Sequence, residues 1–213
     1  SEIKGITNQL GIAEDLIKLE PTVIGGMYPS HMEDRVLLNW PEVPPILIDT
    51  ILAVEDQDFF NHHGISLKSI SRAFLRNVQA GEVEQGGSTI TQQLAKSLFF
   101  SSEQTIRRKV LEAIASLIIE TRYSKEEILL AYINDVFLAQ SGKRAIHGFG
   151  MGAQHFFGTS IQNLSTDQVA LLVGMLKGPS LYNPRRNPNN ATKRRNLVLR
   201  VLNNSNKISD KAF

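Results

Sequence analysis

A mostly α-helical domain is predicted by three features of this 213-residue chain. Apolar residues recur with a period of ~3.6 from Pro44 to the carboxyl end. Ser-x-x-Glu/Gln capping boxes punctuate that stretch at Ser101–Gln104, Ser124–Glu127 and Ser165–Gln168. Short β-type runs broken by Gly and Pro mark the segment before it, in Pro21 to Pro29 and in Arg35-Val36-Leu37-Leu38. The chain therefore divides into a connector of extended segments, residues 1–43, and a helical domain, residues 44–213.

Each helix has its own signal. Pro44-Pro45 suits a start, because proline at the first helical position gives up no needed hydrogen bond. Leu47, Ile48, Ile51, Leu52 and Val54 then form a wide apolar stripe that runs into Glu55. Leu67, Ile70, Phe74, Leu75 and Val78 predict a second helix behind Ser66, and Ile90, Leu94 and Leu98 a third behind Ser88. Behind the Ser101 box, Ile106, Val110, Ala113, Ile114 and Leu117 keep the period. Helices follow the Ser124 and Ser165 boxes, the latter with Leu164 and Val169 placed as a hydrophobic staple. A last helix, from about Ala191, carries Leu197, Val198, Val201 and Leu202.

Composition narrows the function. Apolar residues at 42% and charged residues at 21% exclude wholesale disorder. A net charge of +2, from 23 Lys+Arg against 21 Asp+Glu, gives no electrostatic case for nucleic acid. With no cysteine there is no disulfide framework, no Cys-ligated zinc and no thiol nucleophile. The longest apolar runs, around Ala113 to Ile119 and Val169 to Leu176, fall short of the ~18–20 residues that span a bilayer, and no signal sequence precedes them. The abrupt start at Ser1-Glu2-Ile3-Lys4 reads as a soluble piece cut from a longer chain.

Three clusters carry chemistry. Glu55 follows Ile51 and Leu52 at helical spacing and so borders the buried face of its helix, where burial raises a carboxyl toward the range of a general base or acid. A surface ion pair at the helix end is the alternative, and the close succession Asp56, Phe59, His62, Gly64 weighs against it. Gly86-Gly87-Ser88-Thr89-Ile90-Thr91-Gln92-Gln93-Leu94-Ala95-Lys96 leads glycines into a hydroxyl-rich helix start, which favours a phosphate, or is an ordinary capped loop. Arg108 and Lys109 share a helix face with Glu112, and the apolar run after Glu112 places that acid at least partly inside. His62 and His63 have no zinc-ligand spacing. The basic stretch Arg185 to Arg200 reads first as a solvated helix face and second as a phosphate or anionic-membrane contact, and it has no interleaved aromatics for single-stranded nucleic acid.

These clusters resemble one family. Glu55-Asp56-x-x-Phe59-x-x-His62-x-Gly64, the segment Gly86 to Lys96, Arg108-Lys109-x-x-Glu112-Ala113, Lys125-x-x-Ile128-Leu129 with Tyr132-Ile133-Asn134, and Lys177-Gly178-Pro179-Ser180-Leu181-Tyr182-Asn183-Pro184 are similar, in order, to the motifs of the family 51 glycosyltransferases. Those are the peptidoglycan polymerase domains of class A penicillin-binding proteins, and the last segment looks most like the 1b type. The resemblance covers residues 46 to 202. Leu130 stands where many members place an acid, and Gln104 where many place a basic residue that helps hold the donor pyrophosphate.

The resemblance implies a lysozyme-like helical core that polymerises lipid II, a disaccharide-pentapeptide on undecaprenyl pyrophosphate, into β-1,4 glycan with inversion. It implies Glu55 as the base and Glu112 as a second carboxylate that positions cations or holds Mg²⁺ or Mn²⁺, with no organic cofactor. Asp56, Phe59, His62, Ser88, Thr89, Gln92, Gln93, Lys96, Arg108, Lys109 and Asn134 become substrate-binding candidates. The implied partners are lipid II, the growing glycan strand, the membrane surface and, through a longer parent, a lipoprotein activator or divisome and elongasome proteins; nucleic acid is not among them. The implied location is the periplasmic face of the bacterial inner membrane, with Phe74 and Leu75 or Leu98-Phe99-Phe100 as an apolar lip. The chain's one S-x-x-K lies at Ser1 to Lys4, without S-D-N or K-T-G, so no transpeptidase is expected. A lysozyme-like glycan cleaver and an inactive lipid II-binding scaffold are the rival readings.

Overall fold

Pro45 occupies the first position of α1 (Pro45–Glu55), behind Pro44, as its fixed φ and missing N–H favour. The protein's structure, a computed structural model, describes residues 33–66, 87–100 and 105–209 together with Lys68 and Ser71. Among these follow α2 (Ile90–Phe99), α3 (Ile106–Arg122), α4 (Lys125–Asp135), α5 (Gly148–Phe157), α6 (Thr166–Met175) and α7 (Pro188–Asn204). Three short strands, β1 (Glu33–Arg35), β2 (Phe137–Ser141) and β3 (Arg144–His147), form a sheet in the order β1-β3-β2. β1 runs parallel to β3, and β2 and β3 make an antiparallel hairpin. The mainly α class stands as predicted. The hairpin is an addition that the sequence reading did not contain.

Local chemistry sets the helix starts. Ser124 and Ser165 cap α4 and α6 through complete boxes, their N–H groups donating to Glu127 at 2.8 Å and Gln168 at 3.0 Å. Two expected starts are corrected. α2 is capped by Thr89 rather than Ser88: Thr89 Oγ1 accepts the Gln92 N–H at 3.1 Å, and Gln92 Oε1 accepts the Thr89 N–H at 3.1 Å. α3 begins behind Thr105, whose Oγ1 accepts the Arg108 N–H at 3.2 Å. Ser101 and Gln104 lie outside the described residues, as does the helix expected over Leu67 to Val78 apart from Lys68 and Ser71. The last helix starts at Pro188, ahead of Ala191, again with proline in its first turn.

The core is one large cluster shared by α1, α2, α4, α5 and α6, with Leu47, Ile51, Phe59, Ile90, Tyr132 and Phe149 fully buried. A smaller cluster of Ala170, Val198, Leu199 and Leu202 joins α6 to α7 beneath α1. α3 reverses expectation. Its stripe Ile106, Val110, Ile114 and Leu117 is exposed, with Ile106 at 87%, and its buried face carries Glu112, Ser116 and Ile119. Close backbone approach explains part of this: a Cβ on Gly64, whose φ is +85°, would lie 2.8 Å from the Ser116 carbonyl oxygen.

The end of the connector is joined to the helical domain. Leu38 N–H donates to Asn134 Oδ1 and Asn134 Nδ2 donates to the Leu38 carbonyl, both at 2.9 Å, while Arg35 pairs with Asp135 at 2.9 Å. Gly150 permits the approach, since a Cβ there would lie 2.5 Å from the Val36 carbonyl oxygen. Gly150→Ala is therefore expected to cost about 1–3 kcal/mol by overpacking against backbone that cannot rotate away. Denaturant unfolding measures the loss, and an unchanged midpoint would remove Gly150 from this role.

Candidate active site

Glu55 ends α1 at the place where α2, α4, α6 and α7 converge. Burial of its carboxyl is the largest influence and pushes its pKa up from the ordinary Glu range. Opposing this, Gln93 Nε2 of α2 donates to Glu55 Oε2 at 3.0 Å, and the charges of Arg194 and Lys177 act in the same direction. The neighbouring charge of Asp56 adds to the rise. Gln93 is itself held, because the Tyr132 hydroxyl of α4 donates to Gln93 Oε1 at 3.1 Å.

The residues after Glu55 form the support. Asp56 is buried, and its Oδ2 accepts the Ile90 N–H at the start of α2 at 3.0 Å and lies 2.9 Å from His62 Nε2. The Gly64 N–H donates to His62 Nδ1 at 3.2 Å, so the network assigns the neutral ring's proton to Nε2, facing Asp56. Phe59 is fully buried under Lys125, whose Nζ stands 4.4 Å from the ring centroid. Lys125 also donates to the His62 carbonyl at 2.6 Å and to Glu120 at 2.8 Å, and Thr91 Oγ1 reaches the same Glu120 oxygen at 2.6 Å. Asp56, Phe59 and His62 thus sit beneath the site, pinning the end of α1 to the start of α2, instead of facing the open cleft.

A second centre lies where α3 meets the Gly-rich loop. Glu112 is 1% exposed and is paired with Arg108 Nε at 3.0 Å and Lys109 Nζ at 3.1 Å. Lys109 Nζ also donates to Ser88 Oγ at 2.7 Å, tying the loop to the helix. This donor set does not fit a Mg²⁺ or Mn²⁺ held by Glu112: each carboxylate oxygen already faces a cation, and among the described residues no group of three or more His, Asp or Glu side chains could hold a metal ion.

A groove of about 370 Å³ opens beside the first centre. Gln93, Lys96, Ser97, Tyr132 and Asp135 are among its polar lining, and Phe100, Leu176 and Pro179 among its apolar walls. The structure thus brings Gln93 and Lys96 to one groove, with Glu55 behind it on Gln93, and Ser88, Arg108, Lys109 and Glu112 to another cluster. Thr89 and Gln92 serve as the α2 cap, and Thr89 Oγ1 also donates to the Gly64 carbonyl at 2.6 Å. Asn134 binds the connector. Thr89 and Asn134 have their polar atoms engaged within the fold, and Gln92 is held there through Oε1.

Sequence reasoning gave no site role to Tyr132, Lys177 or Arg194. Each stood in a segment it had singled out, but only the packing of α6 and α7 on α1 brings the two cations to Glu55. Arg194 is held in place by its Nε–H to the Gly174 carbonyl at 3.3 Å and by the Tyr182 ring, 5.9 Å from its guanidinium carbon.

Comparison with known proteins gives a consistent set of relatives. The chain is 47% identical over 214 residues to penicillin-binding protein 1B of Haemophilus influenzae, covering 97% of this chain and 27% of that protein. It is 50% identical over 186 residues to penicillin-binding protein 1B of Vibrio cholerae, with 87% and 24% covered, and 50% identical over 185 residues to that of Escherichia coli, with 87% and 22% covered. It thus spans about a quarter of the length of these relatives. The crystal structure of penicillin-binding protein 1A from Haemophilus influenzae matches with a TM-score of 0.48 and 21% identity, over 85% of this chain and 17% of that one. The family model described as Transglycosylase matches residues 21–203, and on that match the chain belongs to the transglycosylase family.

Proposed function

We propose that this domain is a peptidoglycan glycosyltransferase that polymerises lipid II. The observation that carries the proposal is Glu55: a carboxyl raised by burial, oriented by Gln93, and placed beside a groove and within the field of two cations. In the proposed step, Glu55 takes the proton of the acceptor sugar's 4-hydroxyl as the oxygen attacks C1 of the donor sugar. The new C–O bond forms with inversion, the C1–phosphate bond breaks, and its electron pair leaves with the undecaprenyl pyrophosphate.

The leaving pyrophosphate needs fixed positive charge. Lys96, on the groove wall, and Lys177 and Arg194, in the field of Glu55, are positioned candidates, with Arg108, Lys109 and Ser88 as the second cluster. Since Glu112 is engaged by its two cations, its proposed role is to order them, and no step is assigned to a divalent ion. Glu55 must be ionised to act as a base, so activity is expected to fall as pH drops through its raised pKa.

The substrate's lipid supports a membrane-facing side. Leu98 and Phe99 at the end of α2 and the outward stripe of α3 expose apolar side chains on adjoining helices, next to the exposed Arg107. The proposed setting is the outer face of a bacterial inner membrane, with this face toward the lipid. No described helix is long and apolar enough to cross a membrane.

Polymerisation of labelled lipid II tests the reading, with glycan ladders resolved by gel. Ladders are the expected result. Clearing of purified sacculi without ladders would replace the polymerase with a glycan cleaver, and lipid II binding without turnover would leave a scaffold.

A further inference from the structure

We infer that Tyr132 is a positioning residue: its hydroxyl fixes the Gln93 side-chain amide in the orientation that donates to Glu55, and so sets the pH at which Glu55 can accept a proton. The functional half of this statement rests on Glu55 being the base proposed above; the geometric half does not.

A glutamine amide presents either its NH₂ or its oxygen to a neighbour, and the two faces act on a carboxylate with opposite sign. With Nε2 toward Glu55, the charged form of the carboxylate is favoured. With Oε1 there, it is repelled. The choice is made on the far side of Gln93, where Tyr132 Oη lies 3.1 Å from Oε1. A phenol that keeps its proton can donate to a carbonyl oxygen, and the Tyr132 hydroxyl donates to Gln93 Oε1 here. Tyr132 keeps its proton, because full burial first, and then the charges of Glu55 and Asp56, push its pKa well above the usual tyrosine value. Tyr132 on α4 therefore orients Gln93 on α2, which acts on Glu55 at the end of α1.

The other groups facing Glu55 are independent of this relay. They are Arg194 from α7, Lys177 from the segment after α6, and Asp56 next in the chain. All three remain when the tyrosine hydroxyl is removed, so a change in Glu55 titration on that removal reports the relay. A tyrosine that merely satisfied its own hydroxyl in the core would affect stability and leave Glu55 titrating as before.

The test is the titration of Glu55 itself, followed by carbon NMR of carboxyl-labelled glutamate in the whole domain and assigned by loss of the signal in Glu55→Gln. Tyr132→Phe keeps the ring volume, frees the amide to turn, and is expected to raise the Glu55 pKa by roughly half a unit to one unit. Gln93→Leu removes the donor and should raise it by roughly one to two units. Adding Tyr132→Phe to Gln93→Leu should bring no further rise. Should Tyr132→Phe fail to fold, 3-fluorotyrosine at position 132, a stronger donor of nearly the same size, is expected to shift the titration downward. An unmoved Glu55 titration in these proteins overturns the inference, as does a full second shift in the double variant. In lipid II assays the acid limb of the pH–rate profile should follow the NMR shift. Parent protein without polymerase activity would sink the functional reading while the NMR titration still decided the relay.

Discussion

Glu55→Gln is expected to lose polymerase activity by roughly 10²–10⁴-fold, the range for removal of a positioned general base, and to stay folded. The substitution changes one atom at the end of α1. The amide oxygen it leaves can still accept from Gln93, so the hydrogen bond seen at 3.0 Å has a counterpart in the variant. Stability should move in the opposite direction to activity. Glu55 has a folded pKa above its unfolded value, so between the two values the folded state binds more protons and stability declines as pH rises. Above the folded pKa the wild-type domain carries the cost of a charge that burial disfavours, less what Gln93, Arg194 and Lys177 offset. Glutamine carries none, and its melting temperature at neutral pH should equal or exceed that of the parent. The two variants should converge as pH falls through the unfolded value. Ladder assays and thermal melts across pH check both halves. Activity within tenfold of the parent would dismiss Glu55 as the base.

That pairing of chemistry with burial was partly legible in the sequence, and the reason is spacing. Glu55 follows Ile51 and Leu52 on the inward side of a helix, and both the partial burial and the raised pKa follow from that register. Glu112 was read the same way. Here the apolar run after it gave the right burial for the wrong face: Ile106, Val110, Ile114 and Leu117 keep a helical period, yet they point outward. Periodicity identifies a stripe but not what covers it, and a domain whose substrate carries a lipid has reason to leave one uncovered. The β2–β3 hairpin escaped notice because an irregular register between Phe137 and Ala139 buries Leu138 and Ala139 in succession, so the alternation that announces a strand is lost. Thr89, Gln92 and Asn134 show a further limit. Their types suit substrate contacts, and only the closed capping box and the Leu38 bonds reveal that these side chains also hold the fold together.

The Glu112 centre should respond quite differently from Glu55. Glu112→Ala leaves the Arg108 guanidinium, only 14% exposed, without the carboxylate that faces it at 3.0 Å. Breaking one partner out of a buried ion pair costs about 3–5 kcal/mol, which in a domain of this size corresponds to a fall of roughly 6–20 °C in melting temperature. Lys109 would keep its hydrogen bond to Ser88 but lose its anchor on α3, so the Gly-rich loop and both cations would lose their common fixed point. Activity should therefore fall together with stability, and a second substitution separates the two effects. Adding Arg108→Met removes the charge that Glu112 balanced and fills its stem volume, which is expected to recover most of the melting temperature. If the cations ordered by Glu112 stabilise the leaving pyrophosphate, the double variant remains nearly inactive in the ladder assay. Recovery of activity along with stability would mean that Glu112 only holds the helix to the loop. An unchanged melting temperature in Glu112→Ala would show that the charge cluster contributes nothing to the fold.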